Sequence, residues 1–350
     1  MPALKAPAKI LVTGVTGYIA AHVAEQLLQL GFSVRGSVRD LAKAEYLKKR
    51  WAQHGDKIEF VVISDLVKKE GFDEAVKGVD GIAHVASPFH FNVRDAYADL
   101  INPAVKGTTS VLESALSQGN HQIKRIVVTS SFAALAHPAE PGYKFTEADW
   151  NDWAIKEVNE KGATNVDAGV AYRASKSEAE KAAWNFIKEK QPKFDVATIN
   201  PVFVFGPAIH NIPNADSIPT SLQLFYRNIA SDPQWKNTQV APSNSAQAFI
   251  DVRDVAKAHV EALIRPEAGG QRFLVSAGNF SWQEAANVLR ELYPERNVVV
   301  GEPEKIRTGE ESIVYGEKAS RELDISYRPF KEVARDSAEY LIELEKSWRA

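Results

Sequence analysis

The stretch from Lys9 to Leu30, KILVTGVTGYIAAHVAEQLLQL, constrains this chain more than any other. Ile10 to Val12 is an apolar run of the kind buried on both faces of a parallel sheet. Within two residues it gives way to glycines and then to apolar residues at helical spacing. A strand, a tight turn and a helix in so few residues leave the turn little freedom. Gly14 and Gly17 let it close, one by taking backbone angles that a side chain forbids, the other by letting the main chain approach a bound group. A helix opening near Tyr18 and Ile19 would aim its free N–H groups and positive dipole end at that group, which suits a diphosphate. The third small position is Ala20, which a close helix-to-strand contact tolerates. By themselves such glycines are what any sharp strand-to-helix turn wants, so the residues that follow have to narrow the reading.

A second strand, Ser33 to Val38, ends at Val38-Arg39-Asp40, about where an acidic side chain would hold the ribose 2′-hydroxyl of a dinucleotide. Arg39, with Arg35 before it and Lys43 one helical turn on, makes a basic cluster suited to a 2′-phosphate instead. The competing reading is a set of ordinary solvated charges at a strand end.

The rest of the chain repeats the strand–helix rhythm. Ala42 to His54 is helical in pattern, and Lys57 to Ile63 is a third strand ending at Ser64-Asp65-Leu66. Asp65 could accept from an adenine amino group or cap the next turn. Val79 to Ala86 is a fourth strand, running into Ser87-Pro88-Phe89, and Ala86, Ser87 and Leu66 join the candidates for holding a dinucleotide. Asp95 to Gln118 reads as a helix entered or bent at Pro103, and Lys124 to Thr129 as a fifth strand ending in Ser130-Ser131. A polar excursion, His137 to Asp167, has the length of a site-covering loop. Val170 to Lys190 is strongly helical, and Phe194 to Asn200 is a sixth strand followed by Pro201. Such an alternation predicts an α/β fold with a doubly wound parallel sheet, whose ligands gather at the strands' C-terminal ends. Beyond Gly206 the rhythm stops. The expected division is a dinucleotide-binding domain over 1–205 and 245–265, with a smaller substrate domain over 206–244 and 266–350.

Composition excludes several classes. The chain has 350 residues, 45% hydrophobic and 25% charged, and its net charge of −3 offers no bulk attraction to nucleic acid or an anionic membrane. Cysteine is absent, which removes disulfides, thiolate nucleophiles and cysteine metal sites. The eight histidines have no metal-pair spacing, so no metal is expected, and His84 reads as a satisfied core residue. Asp251 and Asp254 read as helix caps. No apolar run reaches membrane length and MPALKAPAK does not read as a signal peptide, so a cytoplasmic enzyme is the expectation.

Ser131 at a strand end, with Tyr172 and Lys176 one turn apart on the next helix, would stand beside a dinucleotide in such a sheet. A phenol is a weak acid at neutral pH, and an ammonium beside it favours its ionised form. A serine hydroxyl can hold a substrate oxygen in line. Together they would protonate a carbonyl oxygen as hydride reaches its carbon.

The order of glycine turn, strand-end serine and Y-x-x-x-K resembles the extended short-chain dehydrogenase/reductases over nearly the whole chain. TGVTGYIAAHVAEQLLQLGFSVRGSVRD, GIAHVASPF, RIVVTSS, AYRASKSEAEKAAW and FIDVRDVAKAH are similar to the dihydroflavonol reductase branch, especially its fungal NADPH-dependent carbonyl, aldehyde and methylglyoxal reductases. The resemblance implies Ser131, Tyr172 and Lys176 as the catalytic set, with Lys176 also on the nicotinamide ribose and Pro201 and Val202 lining the nicotinamide. The relay asparagine of the wider family falls at Ala104, and the asparagine of plant flavonoid reductases at Ala136, which weakens a flavonoid substrate.

The expectation is therefore an NADPH-dependent carbonyl reductase acting on small ketones or aldehydes, with Phe89, Phe132 and Phe203 as an apolar substrate wall or as core. Its rivals are an NAD-dependent nucleotide-sugar epimerase or dehydratase and a dinucleotide-sensing regulator without catalysis. The partner is a small molecule, and a homodimer is the one assembly considered.

Overall fold

The computed structural model describes residues 4–68, 70–87, 93–119, 122–229, 243, 245–309 and 311–349. Its strands are β1 (Lys9–Val12), β2 (Ser33–Val38), β3 (Ile58–Val62), β4 (Gly81–His84), β5 (Arg125–Thr129), β6 (Asp195–Pro201), β7 (Phe203–Phe205), β8 (Gln247–Asp251), β9 (Arg272–Val275) and β10 (Gly278–Phe280). Its helices are α1 (Tyr18–Gln29), α2 (Glu45–Arg50), α3 (Asp73–Val76), α4 (Asn102–Gln118), α5 (Asp152–Lys161), α6 (Ala168–Lys190), α7 (Thr220–Ile229), α8 (Val252–Ile264), α9 (Trp282–Leu292), α10 (Glu317–Glu322) and α11 (Phe330–Arg349).

Seven strands form one parallel sheet in the order β3-β2-β1-β4-β5-β6-β9. The chain steps outward from β1 in one direction and then, from β4, in the other, so the strand order reverses between β1 and β4. In such sheets that reversal opens a crevice at the strands' C-terminal ends. Apolar side chains cover both faces: α1 and α8 pack on one through Val23, Leu27 and Val255. On the other, α3, α4 and α6 pack through Val76, Leu112 and Phe186. A second core around Phe205, Phe225, Phe280 and Leu341 joins the three-stranded sheet β10-β8-β7 to α7, α9 and α11.

The expected elements appear with four differences. The stretch 42–54 is one short helix, α2, between two 3₁₀ turns. Ahead of α4 the chain makes a π turn, Tyr97–Ile101, and Pro103 sits in the first turn of α4, where its missing donor is tolerated. The excursion 137–167 contains α5, capped by Asn151, whose Oδ1 accepts from the Ala154 N–H at 3.1 Å. Finally β9, in the span assigned to the smaller domain, is the edge strand of the main sheet, paired from Thr198↔Arg272 to Pro201↔Val275. That corrects the boundary drawn at 266: chain beyond it returns to the main sheet because β6 offers an open parallel edge.

Candidate active site

The crevice is a cleft of about 510 Å³, within the range that takes an extended small ligand. Thr13 braces it at the strand reversal. Its Oγ1 accepts from the N–H groups of Val85 (3.0 Å) and Ala86 (2.9 Å), which leaves its own hydrogen for His84 Nδ1 at 3.1 Å. His84 is buried, and burial, with the Lys176 charge nearby, pushes its pKa down to about 4, so it stays a neutral acceptor. The core reading of His84 holds.

The turn after β1 is a cradle that side chains would fill. Gly14 has φ of +64°, and a Cβ there would come within 3.0 Å of the Ala86 Cβ. A Cβ on Gly36 in β2 would lie 2.7 Å from Val15 Cγ1, so that glycine lets the turn sit down on its neighbour strand. Gly17 starts α1 without a side-chain cap, and Thr16, Tyr18, Ile19 and Ala20 line the cleft with it. The first N–H groups of the helix thus face an open space suited to an anion. Tyr18 donates its hydroxyl to the Gly206 carbonyl at 2.6 Å, and burial pushes its phenol up, so it remains a donor.

At the end of β2, Val38, Arg39 and Lys43 line the cleft, and both cations are exposed. Among the described residues neither makes an ion pair. Asp40, the nearby carboxylate, accepts from the Ala42 N–H at 3.0 Å and caps the turn that carries Lys43. Arg35 is not part of this group: its Nε donates to Glu59 at 2.8 Å and its Nη1 to the Ala75 and Lys77 carbonyls. Residues 35 and 59 lie opposite each other in the β2–β3 pair, so the charge is consumed across the strands. Leu66 lines the cleft, whereas Asp65 does not and accepts from the Val67 N–H at 2.9 Å, which is the capping alternative.

The same cleft is lined by Ser131, Tyr172 and Lys176. Ser131 follows β5, and its Oγ accepts from the Ala133 N–H at 3.1 Å, leaving the hydroxyl hydrogen to donate. Tyr172 and Lys176 project from α6, with the Lys176 Nζ 5.8 Å from the Tyr172 ring centre and 3.4 Å from Ser87 Oγ. All three line the cleft with Ala86, Ser87, Pro201 and Val202. Asn151 supports the serine turn from outside, donating through Nδ2 to the Ala133 carbonyl at 2.9 Å.

Of the phenylalanines read as a substrate wall or as core, two take core contacts. Phe132 packs edge-on against Phe145 at 5.2 Å, and Phe203 stacks with Phe205 at 6.4 Å, and neither lines the cleft. Phe89 lies outside the described residues. On that side Val202, Val204, Pro219, Thr220 and Ser221 form the surface, the last two from the first turn of α7 and Pro219 just before it. Asp251 caps α8 by accepting from the Arg253 N–H at 2.8 Å. Asp254 instead pairs with Arg328, and burial raises its pKa to about 6. Among the described residues no three His, Asp or Glu side chains stand together as a metal site, and no helix is long and apolar enough to cross a membrane.

A doubly wound sheet with a glycine turn, an uncapped helix start and two exposed cations at its cleft is the architecture of the dinucleotide-binding folds. The chain belongs to the NAD dependent epimerase/dehydratase family, whose model matches residues 10–276. It is 42% identical over 345 residues to an uncharacterized oxidoreductase of Schizosaccharomyces pombe, covering 97% of this chain and 98% of that one. It is 32% identical over 306 residues to aldehyde reductase 2 of Sporidiobolus salmonicolor, covering 85% and 84%. Among solved structures it is similar to the yeast methylglyoxal/isovaleraldehyde reductase Gre2 complexed with NADPH, with a TM-score of 0.84 and 32% identity over 97% of this chain and 99% of that one.

Proposed function

We propose that the chain is an NADPH-dependent carbonyl reductase that converts small uncharged ketones or aldehydes to alcohols, with Ser131, Tyr172 and Lys176 as its reacting groups. The observation that supports this reading is that those three side chains, from the segment after β5 and from α6, line one cleft with Gly14, Gly17, Arg39 and Lys43. Gly14, Gly17 and the N–H groups of Tyr18 and Ile19 hold the diphosphate, and Arg39 and Lys43 the 2′-phosphate. Leu66, Ala86 and Ser87 line the dinucleotide's path, and Pro201 and Val202 flank its nicotinamide. NADPH, when bound, supplies the hydride.

The protein's own part is positioning and proton transfer. The Ser131 hydroxyl donates to the carbonyl oxygen and fixes its direction. Tyr172 gives that oxygen its proton, and the Lys176 cation, beside the phenol ring, stabilises the phenolate that the transfer leaves. Lys176 also binds the nicotinamide ribose. A chain without cysteine has no disulfide to form, in keeping with work in the cytoplasm. The test is Tyr172→Phe, which keeps the ring and deletes the acid. Turnover falls by at least ~10²-fold while NADPH affinity is kept, and near-normal turnover would remove the mechanism.

A further inference from the structure

We infer that Glu180 is the positioning residue of the reacting set: a buried carboxylate that fixes α6, and with it Tyr172 and Lys176, against the strand end that carries Ser131. The inference rests on the reading of those three residues proposed above. Tyr172, Lys176 and Glu180 recur every four residues, so they form one stripe along α6. The stripe passes from the cleft into the interior, where Glu180 is 1% exposed.

Each carboxylate oxygen has its own partners. Oε2 accepts from Ser130 Oγ at 2.5 Å and from Asn200 Nδ2 at 2.7 Å. Oε1 accepts from Arg272 Nε at 2.6 Å, Thr198 Oγ1 at 2.9 Å and Trp184 Nε1 at 3.3 Å. A buried carboxylate needs a counter-charge, which Arg272 supplies, and donors for its remaining lone pairs. The remaining donors sit where the site needs rigidity. Ser130 precedes Ser131, and Asn200 donates a second bond to the Ser131 carbonyl at 3.2 Å. One carboxylate therefore ties α6 to the segment after β5, to β6 and to β9; one link holds the side chain of the residue before Ser131, and another, through Asn200, reaches the Ser131 carbonyl. Arg272 extends the network outward, donating to the Glu147 and Asp149 carbonyls and stacking 3.6 Å from the Trp150 ring centre.

A merely structural ion pair and a positioning residue respond differently to removal of the partner cation. Glu180→Gln keeps the size but turns one acceptor into a donor and leaves Arg272 buried without its counter-charge. Adding Arg272→Met removes that stranded charge and recovers much of the lost melting temperature. We expect kcat of the double variant to stay roughly ten- to a hundredfold down, with NADPH affinity by fluorescence titration within about twofold of wild type. Recovery of kcat together with melting temperature would overturn the inference and leave Glu180 a structural ion pair. If neither Glu180 variant folds, Ser130→Ala carries the test, because it removes one donor and leaves the ion pair. A several-fold loss of kcat at unchanged melting temperature supports the inference, and unchanged kcat overturns it. Tyr172→Phe is assayed alongside. If it turns over normally, the reading of the site fails, whereas an inactive Tyr172→Phe beside a fully active Glu180→Gln sinks this inference alone.

Discussion

Cofactor choice follows from the end of β2, where Val38 is buried and Arg39 and Lys43 face the cleft. A carboxylate at that strand end would accept from a ribose 2′-hydroxyl and repel a phosphate dianion. The nearest one, Asp40, is already bonded to the Ala42 N–H. Arg39 offers a planar fork of donors to a phosphate, and Lys43 adds a second charge. A hydrogen bond to a charged group contributes about 1.5–3 kcal/mol, and the exposure of both side chains puts each near the lower end, roughly a tenfold change in affinity. Steady-state assays at 340 nm should therefore give Arg39→Ala a KM for NADPH raised about tenfold, with kcat and NADH use little changed. The double change with Lys43→Ala should raise it further. Because the groups are solvated, raising ionic strength from about 0.15 to 1 M shortens the screening length from about 8 to 3 Å and should narrow the preference over NADH. Equal kcat/KM for NADH and NADPH in the wild type, or unchanged NADPH kinetics in Arg39→Ala, would reduce the two cations to ordinary surface charges.

Gly14→Ala forces a side chain into φ +64° and against Ala86, so it should lower stability by about 1–2 kcal/mol in urea unfolding and weaken NADPH binding in a titration. His84 and His259 are both buried with pKa lowered from 6.5 to about 4, so the folded state stays neutral where the unfolded chain takes up protons. Their contribution is fully present above pH 6.5 and is lost as pH falls toward 4, at about 1.4 kcal/mol per pH unit for each. Urea midpoints from pH 7 to 4.5 should decline accordingly, and a flat profile would contradict the burial. A UDP-sugar should give no heat in calorimetric titration while simple ketones are reduced, and the reverse pattern would move the chain to epimerase chemistry.

What was legible in the sequence was what local spacing controls. The passage from β1 through the glycine turn to α1 rests on contiguous residues, as do the Tyr172–Lys176 pair and the capping Asp251. Non-local pairing was not legible. Arg272 to Val275 is only four residues long, and nothing in its composition says that its partner is β6 rather than a neighbour in the smaller sheet. Arg35 looked like part of a basic cluster because its partner, Glu59, is set by the register of two parallel strands. The helix α5 was hidden because among its ten residues only Ala154 and Val158 are buried, too few for a visible apolar stripe.

The site shows the same division and one exception. Phe132 follows the serine, which suits a substrate wall as well as core, and Phe145, from a loop whose path no spacing reveals, takes up its face. Phe203 follows β6 in the same suggestive way, but the second core draws it in. That wall of the cleft is built by Val202, Val204 and the start of α7, and α7 is held to the second core by Leu222 and Phe225. Glu180 is the exception, since its four-residue spacing from Lys176 is plain in AYRASKSEAE. What hid it was chemistry: a glutamate in a helix with so many charges reads as solvated, and only the strand register brings Ser130, Thr198, Asn200 and Arg272 to it. The four-residue spacing that puts Glu180 on the stripe of Tyr172 and Lys176, one turn inward, is the signal in the sequence that points to it.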